Sequence, residues 1–181
     1  MNHALFSIAR RLRLLALAAV LATPALARAD DYAQVTRLLR SGQHAEALAQ
    51  ADRYLVLRPR DPQMRFLRGV IQSESGRRAE AITTYTDLVR EYPELPEPYN
   101  NLGVLYAAQS EFDKAREAFQ MAIRANPGYA TAYENLGDVY AQLARRAHAH
   151  ALELDPSNAS LRSKLAQPTQ PASIAAPVRA P

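Results

Sequence analysis

Apolar and small residues recur along the middle of this chain with the spacing of an amphipathic helix. In the clearest segment they occupy positions i, i+3, i+4 and i+7, which are Tyr99, Leu102, Gly103 and Tyr106. This spacing places them on one face of a helix and predicts that the face is buried. Short segments containing glycine or proline separate such stretches, so the pattern predicts short helices joined by turns.

The same pattern returns along the chain with a fixed period. Proline stands at 59, 93 and 127, glycine at 69, 103 and 137, and alanine at 47, 81 and 115, a step of 34 in each series. The period divides the chain into units 28–61, 62–95 and 96–129 and a shortened unit 130–158. A lone helical pair cannot bury its apolar face, so the units are expected to stack into one continuous core.

These residues and their period resemble those of the tetratricopeptide repeat (TPR) family. The resemblance covers residues 28 to about 158. It implies an all-α solenoid in which each unit is a hairpin of two helices, called helix A and helix B. It also implies a non-catalytic adaptor that binds other proteins, similar to the small exported TPR proteins of Gram-negative bacteria.

The fourth unit departs from the period. The step from Pro127 to its closing proline, Pro156, is 29 instead of 34, and the missing residues are those of the turn between helices A and B. No glycine or proline interrupts residues 138–155. The sequence therefore predicts that helices A and B are fused into one helix from about Thr131 to Leu154. A short last helix, capped by Ser157 or Asn158, is expected to follow.

Residues 1–29 have the features of a secretory signal peptide. Three arginines at 10, 11 and 13 precede a short apolar run, and small residues with two A-x-A sites follow before Asp30. An uncleaved membrane anchor is the alternative, but the run is shorter than the roughly 20 apolar residues that a bilayer span needs. The segment predicts a periplasmic protein with no membrane span after cleavage.

Removal of this segment changes the charge of the chain. The full sequence has 22 basic and 18 acidic residues, and cleavage after Ala29 removes four arginines and leaves 18 of each. A neutral chain gives no indication of binding to nucleic acid or to anionic lipid. The absence of cysteine is compatible with an oxidising compartment.

The mature chain is expected to be one solenoid, residues 30–166, followed by a tail, residues 167–181. The tail holds prolines at 168, 171, 177 and 181 and little apolar bulk, so it is expected to be disordered. A proline-rich ligand for another domain is the alternative interpretation of this segment.

No catalytic or metal-binding motif is evident in the sequence. His148 and His150 are two positions apart, so on a helix they point to different sides and cannot share a metal ion. Carboxylates are scattered next to basic residues, as on an ordinary solvated helix face. We therefore expect no cofactor, no metal and no enzymatic activity, with a small enzyme that has an unrecognised site as the remaining alternative.

The family resemblance implies that helix A builds the concave wall of the solenoid. Asparagine recurs there in successive units, and its amide can both donate to and accept from a peptide backbone. Solvated surface asparagines are the alternative. The wall positions of units two to four hold no lysine or arginine, which argues against a clamp for a C-terminal carboxylate. The candidate partner-binding residues are Gln63, Val70, Glu74, Glu97, Asn101, Val104, Asn135, Asp138 and Gln142.

The predicted partner is a protein or an extended peptide held on this concave face. The alternative function is structural, in which the chain forms a homodimer or docks onto a partner through its fused C-terminal helix.

Overall fold

The structure, a computed structural model, describes residues 30–167, so the predicted signal peptide and residues 168–181 of the tail lie outside it. The described residues form helices joined by short turns, with no strand among them. The helices are α1 over residues 30–40, α2 His44–Leu57, α3 Pro62–Glu74, α4 Arg78–Glu91, α5 Pro96–Ala108, α6 Phe112–Ala125, α7 Ala130–Leu154 and α8 Ala159–Ala166.

The helices pair in the order that the repeat period predicts. Helices α3 and α4 pack together as one hairpin, α5 and α6 as the next, and each hairpin contacts the one that follows it. One apolar cluster runs from α1 through α6, and two smaller clusters extend the core towards α7. The predicted all-α solenoid is confirmed.

The turn within each hairpin depends on one residue with a positive φ angle. This residue is Gly42 (φ 74°) in the first unit, Gly76 (φ 79°) in the second and Ser110 (φ 61°) in the third, each one repeat period after the last. Glycine adopts this left-handed conformation freely, whereas for a residue with a Cβ it costs about 1–2 kcal/mol. One period further on, Ala144 lies inside α7, which continues without a turn.

Proline marks the end of each helix B. Helices α2, α4, α6 and α7 each end two residues before a proline, at Leu57, Glu91, Ala125 and Leu154. A proline restricts the residue before it to an extended conformation and has no N–H to donate, so a helix that approaches it must end. The breaks between helices predicted at these proline-containing segments are confirmed.

Two glycines let helix A and helix B of one hairpin approach each other closely. A Cβ added to Gly69 would lie 2.5 Å from Cε1 of Tyr85, and one added to Gly103 would lie 2.5 Å from Cε1 of Phe119. Both rings are completely buried. An aromatic ring of helix B therefore fills the space that a side chain on helix A would otherwise occupy.

The first unit reverses this arrangement. Val35 of α1 stands at the glycine position and Ala51 of α2 stands at the ring position, and both are completely buried. The larger side chain is thus on helix A instead of helix B. The volume between the two helices is filled in either case, as the close packing of protein interiors requires.

Two arginines of α3 form ion pairs, one within the second unit and one to the first unit. Arg65 of α3 lies 2.9 Å from Glu91 of α4, and Arg68 lies 2.9 Å from Asp52 of α2. Arg65 is only 13% exposed, so its aliphatic stem covers the edge of the core while its guanidinium group is paired. These arginines occupy positions at which the third unit has the apolar residues Tyr99 and Leu102.

The fourth unit is one continuous helix, as predicted. Helix α7 has 25 residues and packs on α6 and α5, with Ala132, Asn135 and Val139 of its N-terminal half buried. Helix α8 follows and packs back on α7. The Asn158 side chain accepts a hydrogen bond from the Leu161 N–H at 3.1 Å and so caps α8.

Replacing Gly103 by alanine should destabilise the fold, because the new Cβ would overlap the Phe119 ring. Overpacking of this kind costs typically about 1–3 kcal/mol, and we expect the urea midpoint of unfolding to fall accordingly. Gly128→Ala is the control, since a Cβ there would meet only the Asn126 side chain at 3.4 Å. Equal midpoints for the two variants would contradict the proposed ring-on-glycine contact.

Candidate functional site

Helices α1, α3, α5 and α7 are the A helices of successive units, and the nine candidate residues lie on the last three of them. Direct contact between α5 and α7 shows that the A helices of the third and fourth units adjoin. Gln63 is exposed; Glu74, Glu97, Val104, Asp138 and Gln142 are half-buried; Val70, Asn101 and Asn135 are buried. The nine residues therefore do not form one open surface.

The candidate asparagines belong to a buried chain of hydrogen bonds. Asn135 of α7 donates to the side-chain oxygen of Asn100 at 2.9 Å, and Asn100 donates to that of Asn101 at 3.5 Å. Asn101 in turn donates to the Tyr85 hydroxyl of α4 at 3.1 Å. All four residues are completely buried. This series of hydrogen bonds links three helices, α4, α5 and α7, from three successive units.

This placement corrects one expectation from the sequence. Asn101 and Asn135 were expected to point away from the core, where water or a peptide would satisfy their amides. That expectation is wrong, because Asn101 and Asn135 are 0% exposed and each is hydrogen-bonded. A buried amide must find its partners inside the protein, and here Tyr85 and Asn100 supply them. The assignment of partner binding to the nine residues stays a prediction.

Asn100 and Tyr85 were not predicted to belong to a polar network. Tyr85 stands at the ring position of helix B, where Phe119 stands in the next unit, so only its hydroxyl group distinguishes it. Burial raises the pKa of this hydroxyl, which stays protonated in the interior. The adjacent pair Asn100 and Asn101 was the one signal in the sequence that could have indicated a polar cluster.

Three of the candidate residues are half-buried carboxylates on successive A helices. Glu74 lies on α3, Glu97 on α5 and Asp138 on α7. His44 approaches Glu74, with 3.7 Å between its Nε2 and the carboxylate, and its side chain is only 29% exposed. The nine candidate positions contain no lysine or arginine. The charged residues among the nine candidates are therefore all acidic.

The environment of Glu97 is partly closed to solvent. Burial first, and then the nearby Glu97 carboxylate, raise the pKa of Tyr129 to about 12. A phenol next to a carboxylate resists ionisation because a second negative charge would be repelled. Tyr129 therefore remains a neutral hydroxyl at physiological pH.

The described part of the chain holds neither a metal-binding cluster nor a membrane-spanning helix. Residues 30–167 contain no group of three or more histidine, cysteine or carboxylate side chains that could hold a metal ion. His150 lies 3.1 Å from Glu153 on the surface of α7, as a neighbouring pair along one helix. Within the same residues, no helix is long and apolar enough to cross a membrane.

Comparison with known families gives two matches to the same repeat. Models of the tetratricopeptide repeat match residues 32–96 and residues 96–129. Together they cover more than half of the chain and three of the four predicted units. No curated protein sequence matches the chain.

Solved structures show the same fold. A thermophilic TPR protein from Thermus thermophilus is 25% identical, with a TM-score of 0.57, and the match covers 75% of this chain and 78% of that one. MamA from Desulfovibrio magneticus RS-1 is 21% identical, with a TM-score of 0.57 and coverage of 76% of each chain. A chain of the Naa15/Naa10 complex bound to HypK-THB is 18% identical, with a TM-score of 0.55; the match covers 76% of this chain but only 21% of that one.

Replacing Asn135 by alanine should destabilise the protein, because Asn100 would lose the donor that its buried oxygen now has. An unsatisfied buried polar group costs about 1–3 kcal/mol, so we expect a lower urea midpoint of unfolding. Asn126→Ala is the control, since the exposed Asn126 side chain accepts from the Gly128 N–H, and water can replace it there. An unchanged midpoint for Asn135→Ala would contradict a structural role for the amide chain.

Proposed function

Because the chain belongs to the tetratricopeptide repeat family, whose members serve protein–protein interaction, we propose that it is a non-catalytic adaptor of the cell envelope. Its binding surface is the side of the solenoid formed by helices α3, α5 and α7. The observation that carries this proposal is that each of three successive A helices contributes a half-buried acidic group, Glu74, Glu97 and Asp138.

The chemistry of this surface favours an extended segment with basic or amide-bearing side chains. The exposed Gln63 of α3 and the half-buried Gln142 of α7 add amide groups that can both donate and accept hydrogen bonds. The buried amides of Asn101 and Asn135 fix the spacing of α5 and α7 beneath this surface. In this proposal they position the binding helices and do not contact the partner.

The compartment is part of the same proposal. The basic start, the short apolar run and the A-x-A sites of residues 1–29 support export by a signal peptide into the periplasm. The neutral chain left by cleavage is consistent with an adaptor whose charge is concentrated locally at its binding surface.

A structural role in which the chain associates through α7 is the second candidate function. It is favoured by a specific observation, namely that Tyr133 and Tyr140 of α7 are 51% and 47% exposed. The equivalent Tyr99 of the preceding unit is buried, so the exposure of Tyr133 is a property of the fourth unit.

The binding surface can be tested with the triple variant Glu74→Gln/Glu97→Gln/Asp138→Asn, which removes three charges at constant size. Exposed ion pairs contribute about 0.2–1 kcal/mol each. The loss of three such pairs with the partner should therefore weaken binding about tenfold. The measurement is quantitative capture of partners from the periplasmic fraction of the native host.

The matched control is Asp87→Asn/Asp113→Asn/Glu117→Gln, which removes the same charge from α4 and α6, the B helices. It should keep the affinity of the native chain. Full partner recovery by the first variant, or equal loss by both, would place the binding surface elsewhere than on the A helices.

Export can be tested by N-terminal sequencing of the protein from its native host. We expect the mature chain to begin at Asp30 or Arg28. Retention of Met1 would contradict cleavage and, with it, the neutral charge of the mature chain.

A further inference from the structure

The N-terminal half of α7 has a helix-A face with no helix B against it. In the third unit Tyr99 is 8% exposed, whereas Tyr133, its equivalent one period later, is 51% exposed. A Cβ added to Gly137 would meet nothing within 4 Å, although the equivalent Gly69 and Gly103 are each covered by a ring. We call this face, formed by Tyr133, Gly137 and Tyr140, the open face.

The C-terminal half of the same helix carries the residues of a helix B. We align the fourth unit with the others by its closing proline, Pro156. In this alignment Ala144 is equivalent to Ala47, Ala81 and Ala115 of the other units. His148 then falls at the ring position, which Tyr85 and Phe119 occupy in units two and three. Ala144 and Ala147 are exposed. This half, residues 144–154, is therefore a helix B that does not contact its own helix A.

The two halves cannot meet within one molecule. Helix α7 is continuous over its 25 residues, and at about 1.5 Å per residue Tyr133 and Leu152 are about 28 Å apart along it. The five missing residues of the turn and the absence of glycine between 138 and 155 keep the helix continuous at the place where the other units reverse direction.

We propose that the open face is covered by residues 144–154 of a second copy of this chain, so that two α7 helices lie antiparallel and each completes the fourth unit of the other. Gly137 of one copy then lies opposite His148 of the other, and Tyr133 opposite Leu152. Both pairings place the two-fold axis between residues 142 and 143. Each contact occurs twice, as a closed two-fold dimer requires.

The contacts within intact units support this arrangement. In the third unit the ring position covers the glycine position, as Phe119 covers Gly103, and Ile123, the equivalent of Leu152, packs against the cluster that holds Tyr99. The proposed dimer reproduces both contacts, with His148 on Gly137 and with Leu152 near Tyr133. Helix α8 already packs on α7, as helix A of a following unit packs on the preceding helix B.

The dimer can be tested with Gly137→Leu, measured on the full chain by sedimentation equilibrium. The native chain should be a dimer, and the variant should dimerise at least about tenfold more weakly because the leucine occupies the space of His148. Its fold should be unchanged, since nothing lies within 4 Å of that position in one copy; circular dichroism checks this. Glu117→Leu, which adds a leucine to an exposed site on α6, should dimerise as the native chain does.

A cysteine pair tests the pairing itself, and the chain has no native cysteine to interfere. Tyr133→Cys/Leu152→Cys should oxidise to a covalent dimer, whereas each single variant should remain uncrosslinked, because like positions lie at opposite ends of the helix pair. An internal disulfide in a monomer would show that α7 folds back on itself and would overturn the proposal. A native chain that stays monomeric at every concentration, or a dimer that Gly137→Leu does not weaken, would overturn it as well.

Discussion

The contact between a ring on helix B and a glycine on helix A sets the distance between the two helices of a hairpin, and the rest of the solenoid depends on it. Where Tyr85 covers Gly69 and Phe119 covers Gly103, the two backbones approach too closely for any side chain at the glycine. The first unit meets the same requirement with Val35 and Ala51. The feature common to the units is thus the filled volume between the helices, and either helix can supply the side chain.

In the fourth unit this contact cannot form within the chain. The loss of five residues removes the turn, and α7 runs on through the place where the other units reverse. Gly137 then has no ring above it, and Tyr133 and Tyr140 are left half-exposed. A change in the length of one turn therefore converts an interior surface into an exterior one, which is the surface that a second copy of α7 fits.

The buried amide hydrogen bonds constrain how neighbouring units of the solenoid are placed relative to one another. Apolar contacts tolerate small shifts between neighbouring units, whereas the hydrogen bonds from Asn135 to Asn100 and from Asn101 to Tyr85 have defined distances and directions. Because these groups are buried, a shift of α7 against α5 would leave polar atoms unsatisfied. These hydrogen bonds therefore fix the register of α7 against α5, two of the helices that form the proposed binding surface.

The sequence by itself determined the repeat, the helix ends and the fused helix, because period, proline and glycine act locally on the backbone. The prolines at 59, 93 and 127 predicted breaks between helices, and the early Pro156 predicted the continuity of α7. Only the tertiary structure decided which surface residues are accessible. Asn101 and Gln63 occupy the same predicted wall, yet one is buried and the other exposed. Burial depends on what the neighbouring helices place against a side chain, and the periodicity of one helix does not contain that information.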